Sequence, residues 1–149
     1  MAAVSRPRAV LFACTQNSVR SPMAEALTRL LFGKSIEVAS AGLRAGELDG
    51  FAVAVMDEVG MDILRHMPRS LDDLENLDFD LIVTLSPEAH HRALELCRNS
   101  QVGVEYWPTV DPTAFEGVRD QKLEAYRAVR DGLLQRIKQR FDWRSFGRL

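Results

Sequence analysis

Ala9-Val10-Leu11-Phe12-Ala13-Cys14-Thr15-Gln16-Asn17-Ser18-Val19-Arg20-Ser21-Pro22 passes from an apolar run, through a polar loop, to a pair of residues that suits the start of a helix. The apolar run Ala9 to Ala13 is short and bounded by polar residues, as in a central strand buried on both faces. Ser21 suits a helix cap and Pro22 the first turn. The apolar positions Met23, Ala26, Leu27, Leu30 and Leu31 then keep helical spacing up to Gly33, which closes the helix.

The same alternation continues outward. Ile36 to Ala39 predicts a second strand, and Ala52 to Glu58 a helix ended by Gly60 in the left-handed cap conformation. Phe79 to Leu85 predicts a third strand, Pro87 to Arg98 a third helix, and Val102 to Trp107 a fourth strand. A long helix from Val118 to Phe141 follows, with Leu123, Tyr126, Val129, Leu133, Leu134 and Ile137 on one stripe. Parallel strands need crossovers, and helices must cover the sheet, so the pattern reads as α/β: a four-stranded parallel sheet with helices on both faces. At 149 residues the chain suits one domain, 1-149. Ligands of such sheets bind at the carboxyl ends of strands. The two unusual loops there are Cys14 to Ser21 and Trp107 to Phe115.

An apolar fraction of 46% and a charged fraction of 27% exclude a disordered or fibrous chain. Nineteen Lys and Arg against 21 Asp and Glu leave a charge of −2, with no broad attraction to nucleic acid or to an anionic membrane. Any anion site must be local. The apolar runs are too short to span a bilayer and the N-terminus does not read as a secretory signal, so the expected location is cytoplasmic. Cys14 and Cys97 are then two reduced thiols, and neither lies at ligand spacing from a second Cys or from His66, His90 or His91. Neither metal nor cofactor is expected.

In a turn between a buried strand and a helix, successive N–H groups face a common centre and the helix N-terminus adds partial positive charge. Thr15, Gln16, Asn17, Ser18, Val19, Arg20 and Ser21 are therefore the expected oxyanion-binding residues, with Asn17 suited to a left-handed backbone. The same field favours a thiolate, making Cys14 a candidate nucleophile. Arg20 stands where its planar guanidinium would bind two oxygens of a transferring group, and Ser21 where its hydroxyl would assist the sulfur. A lone cysteine at a strand end is more often a small buried apolar residue. Here Cys, five residues, Arg and Ser-Pro occur together at a strand-to-helix junction, which favours the chemical reading.

The segment VLFACTQNSVRSPMAEAL resembles the low-molecular-weight protein tyrosine phosphatases and the arsenate reductases that share their fold. Ser40-Ala41-Gly42, Gly60-Met61-Asp62 and Phe79-Asp80-Leu81-Ile82-Val83 extend the resemblance across nearly the whole chain. It implies a flavodoxin-like three-layer domain and a phosphomonoester hydrolase, expected to be a protein tyrosine phosphatase, acting through a phosphocysteine. Asp111-Pro112 matches the family's general acid, so Cys14, Arg20 and Asp111 are the expected catalytic residues. The expected partners are a phosphorylated protein or small phosphate ester, and inorganic phosphate or another oxyanion.

Gln16 and Val19 stand where the phosphatases usually carry Gly and a second Cys, and Thr113-Ala114 follow Asp111-Pro112 where aromatics are usual. Two rival readings follow. One is an arsenate reductase using an external small thiol or glutaredoxin, since Ser86 stands where thioredoxin-linked members place cysteine. The other is a non-catalytic phosphate-binding module. His66, His90, His91, Trp107, Phe115 and Trp143 read as structural or surface residues.

Overall fold

The computed structural model describes residues 6–76 and 78–141. Strands β1 (Ala9–Cys14), β2 (Glu37–Gly42), β3 (Leu81–Thr84) and β4 (Gly103–Tyr106) alternate with helices α1 (Arg20–Phe32), α2 (Gly50–Asp57), α3 (Pro87–Leu96) and α4 (Arg119–Phe141). All strand pairs are parallel, in the order β2-β1-β3-β4, with Cys14 opposite Gly42 and Ala13 opposite Thr84. β1 is central, and Val10, Leu11, Phe12 and Ala13 are fully buried because both of its faces are covered.

The period-two alternation of β1 sorts its side chains into two cores. Val10, Phe12 and Cys14 face the layer built with α1, α2 and α4. Leu11 and Ala13 face Ala89 and Ala93 of α3. Trp107 and Phe141 close the first core, Trp107 meeting Phe12 edge-on at 5.9 Å between ring centroids, so Trp107 is a packing residue as expected. α2 is tied to α4 by Arg127 and Arg130, which both reach the Glu58 carboxylate and hold it at about 2, well below the usual carboxylate range.

Several boundaries differ from the sequence-based expectation: β2 runs on to Gly42 rather than ending at Ala39, and α3 ends at Leu96 rather than Arg98. α1 begins at Arg20, so Ser21 lies inside its first turn and the cap position falls to Val19, whose apolar side chain makes no capping bond. α2 starts at Gly50 because Asp49 caps it, accepting from the N–H of Phe51 and Ala52. β3 starts at Leu81, since the Asp80 carboxylate turns back to accept from the N–H of Arg8 and Ala9. Gly60 does adopt positive φ, at 81°. Trp143 and the candidate tail from Arg144 to Leu149 lie outside the described residues.

Candidate active site

The loop after β1 is shaped from outside by the loop after β2. Leu43 N–H donates to the Cys14 carbonyl at 2.8 Å, Arg44 to Thr15 at 3.0 Å, Gly46 to Gln16 at 2.8 Å and Asp49 to Ser18 at 3.2 Å. The Val19 carbonyl accepts from Met23 in the first turn of α1. With these carbonyls satisfied on the outside, the N–H groups of Thr15 to Val19 donate to no acceptor among the described residues. Backbone donors left in this way take a partner from solvent or a ligand, and five on one turn, three of them on the buried residues Asn17, Ser18 and Val19, suit a tetrahedral oxyanion.

Two backbone features make the turn possible. Asn17 holds φ at 55°, the left-handed region anticipated for it. Gly42 lets the two loops touch, because a Cβ there would stand 2.7 Å from Asn17 N and 2.8 Å from Gln16 C. Gln16 takes no positive φ, so glycine is not required at that position. Its exposed side chain lies over Gly46.

Cys14, Thr15, Gln16, Ser18, Val19 and Arg20 line a cavity of about 340 Å³. Asn17 and Ser21, also expected among the oxyanion-binding residues, are fully buried and do not line it. They stand behind the loop. Ser21 Oγ is 2.9 Å from Cys14 Sγ and accepts from Asn17 Nδ2 at 2.8 Å. The same Asn17 amide donates to Ser40 Oγ at 2.9 Å, while its Oδ1 accepts from Arg69 N–H at 3.1 Å and lies 3.0 Å from His66 Nε2. An amide oxygen only accepts, so neutral His66 carries its proton on Nε2. Glu25 closes the network, accepting from Ser40 Oγ at 2.5 Å and lying 3.9 Å from His66 Nδ1. Burial lowers the His66 pKa below 6.5, against the opposing pull of Glu25.

Arg20 is buried, and its Nη1 donates to the Thr109 carbonyl at 3.0 Å, with the Leu85 carbonyl at 3.5 Å. Its Nη2 is 3.9 Å from Asp111 Oδ2. Asp111 remains partly exposed at the rim, where it accepts from the N–H and hydroxyl of Thr113. The two chemically unusual loops therefore meet over one cavity, as the sheet geometry requires.

Other groups are held apart. Cys97 is buried in the α3 core, on the opposite face of the sheet from Cys14. It follows the last turn of α3 while Ser86 caps the first, so the helix alone places it about 15 Å from the cavity end. Burial pushes its thiol up. His90 contacts Thr84 Oγ1 at 2.8 Å and stacks on Tyr106, confirming a packing role, and His91 is exposed. Sequence reasoning missed Glu25, Arg69 and the reach of His66. Asp49 was missed as well: its carboxylate caps α2 and accepts from Tyr126 OH at 2.8 Å, while its N–H holds Ser18. Their distance from Cys14 along the chain leaves no local motif to read.

Among the described residues no helix is long and apolar enough to cross a membrane. The chain is 34% identical over 133 residues to an arsenate reductase of Halalkalibacterium halodurans, covering 88% of this chain and 93% of that one. It is 31% identical over 129 residues to a glutaredoxin arsenate reductase of Synechocystis, covering 87% and 92%. A solved arsenate reductase in the phosphate binding state superimposes with a TM-score of 0.70 at 29% identity, over 89% and 95% of the two chains. Residues 9–142 match the family described as low molecular weight phosphotyrosine protein phosphatase, and the chain belongs to that family.

Proposed function

We propose that the chain is an arsenate reductase in which Cys14 is the nucleophile and an external thiol, small or carried by glutaredoxin, completes the reduction. The observation that carries this reading is the wall of the Cys14 cavity. Around the loop it is formed by Arg44, Ser86, Pro87, Glu88, Asp111 and Thr113, with no aromatic ring among the described residues to grip a phenol. A small tetrahedral oxyanion needs no such wall. The names of the most similar relatives support the same choice.

In this scheme the Cys14 thiolate attacks arsenic and one arsenate oxygen leaves as water, giving a thioester of arsenic. Arg20 and the loop amides hold the remaining oxygens. An external thiolate then attacks the Cys14 sulfur. The sulfur–arsenic bond breaks with its electron pair remaining on arsenic, arsenite departs, and Cys14 is left in a mixed disulfide. A second thiol restores Cys14, so two thiols become one disulfide as As(V) becomes As(III). The outside thiol is required because Cys97 lies across the sheet.

Phosphomonoester hydrolysis is the second reading, favoured by Asp111 beside Arg20. There the Asp111 carboxyl would protonate the leaving oxygen, and the same carboxylate would then activate water against the phosphocysteine. The test runs wild type and Cys14→Ser side by side. Arsenite release is followed with glutathione, with and without glutaredoxin, and phosphate release from p-nitrophenyl phosphate and a phosphotyrosine peptide. Cys14-dependent arsenite release with weak hydrolysis supports the reductase; the reverse pattern replaces it with the phosphatase. Silence in both assays leaves an oxyanion-binding module.

A further inference from the structure

The order β2-β1-β3-β4 places the loops after β2 and β3 on opposite flanks of the Cys14 loop. Arg44 comes from the first, and its N–H is pinned to the Thr15 carbonyl at 3.0 Å, so its side chain starts from a fixed point. Glu88 comes from the second, in the first turn of α3, with Oε1 3.3 Å from Thr15 Oγ1. Both residues are exposed and both line the cavity that has Cys14 in its wall. Arg44 makes no ion pair or side-chain hydrogen bond among the described residues, whereas Arg20 is already held by two carbonyls and lies beside Asp111.

The mouth therefore has a cation on one flank and two carboxylates, Glu88 and Asp111, on the other. Asp111 lies beside Arg20 and has a use as a proton donor, but a site serving only a dianion gains nothing from a second carboxylate, Glu88, at its entrance, because like charges oppose entry. A ligand that carries both signs gains from each flank. We propose that Arg44 and Glu88 form a split cradle for a small thiol with an amino-acid head, the thiol's carboxylate pairing with Arg44 and its ammonium with Glu88 while its sulfur meets Cys14. This rests on the external-thiol reading above and names the class of thiol. Glutathione and other amino-acid or peptide thiols have the required charges.

The assay is thiol–disulfide exchange on Cys14, which needs no arsenate. The Cys14 thiolate attacks one sulfur of an added disulfide, the S–S bond breaks, a mixed disulfide forms on Cys14 and one thiolate departs. Rates are followed by intact mass with four probes: glutathione disulfide, cystamine with ammonium groups only, dithiodipropionate with carboxylates only, and neutral hydroxyethyl disulfide. Arg44→Ala is expected to slow exchange with glutathione disulfide and dithiodipropionate about three- to fivefold, the scale of an exposed ion pair, and to leave hydroxyethyl disulfide unchanged. Glu88→Gln, which keeps an acceptor for Thr15, is expected to slow glutathione disulfide and cystamine and to spare dithiodipropionate. Equal factors across all four probes, or none, overturn the cradle. Arsenite release is measured in parallel. Release sustained only by glutaredoxin also overturns the cradle, whereas no release with any thiol overturns the reductase reading and leaves the exchange ratios to decide the cradle.

Discussion

Ser21 Oγ lies 2.9 Å from Cys14 Sγ and is itself held by Asn17 Nδ2 at 2.8 Å, so the sulfur faces a hydroxyl whose position is set from behind. Serine in the first turn of a helix ordinarily serves that helix's own backbone; here the hydroxyl lies between Cys14 Sγ and the Ala41 carbonyl, the latter at 3.4 Å. Ser21→Ala removes a donor to developing charge on sulfur, worth about 1.5–3 kcal/mol for a charged partner. Turnover is expected to fall roughly 10- to 100-fold, with oxyanion affinity changed much less. Steady-state rates alongside competitive inhibition by phosphate check this, and an unchanged turnover would remove Ser21 from the chemistry.

Gly42→Ala is expected to damage both stability and function. The added methyl would meet Arg44 O at 2.5 Å, Asn17 N at 2.7 Å and Gln16 C at 2.8 Å, all backbone atoms that cannot rotate away. Overpacking of this kind costs about 1–3 kcal/mol, and any relief must come by parting the two loops. Urea unfolding should report the loss, and phosphate affinity should weaken beyond what unfolding explains.

His66 gives the protein a pH-dependent term of known sign. Its folded pKa is lowered from 6.5, chiefly by burial. The unfolded chain therefore binds the proton first, and stability falls as pH drops through 6.5 and then through the lowered folded value. The contribution is fully present above 6.5. In His66→Gln, which keeps a side-chain donor for Asn17 Oδ1, the melting temperature should depend less on pH in this window. An identical pH profile in the two proteins would refute the assignment.

Asp111→Asn separates the two functional readings. If Asp111 protonates a leaving oxygen, the substitution slows alkyl phosphates, with their poor leaving groups, far more than aryl phosphates with good ones, by about 10²–10⁴-fold. Uniform slowing across leaving groups would confine Asp111 to shaping the rim beside Arg20.

The fold was legible because its signals are local. A short apolar run, a Ser-Pro or Pro at a helix start and a helical stripe each depend on neighbours in the chain. Errors fell where side chains serve a distant partner. Ser21 was expected both to cap α1 and to reach the sulfur, and only its contact with Cys14 is present, while Asp49 caps a helix and holds Ser18 and Tyr126. Gln16 stands where the phosphatases usually carry Gly, yet its backbone needs no glycine and its side chain finds room over Gly46.

The amino-acid sequence by itself determined the alternating α/β plan and the placing of Cys14, Arg20 and Asp111 in loops at one end of a parallel sheet, because parallel crossovers bring those strand ends together. Only the tertiary structure decided that Asn17 and Ser21 stand behind the Cys14 loop, that Glu25 and His66 support it, and that Cys97 lies on the far face from Cys14. These relationships are set by the pairing of β1 with β2 and β3 and by which way each pleat points. A side chain's partner across the sheet is fixed by register and packing, which no local stretch of sequence encodes.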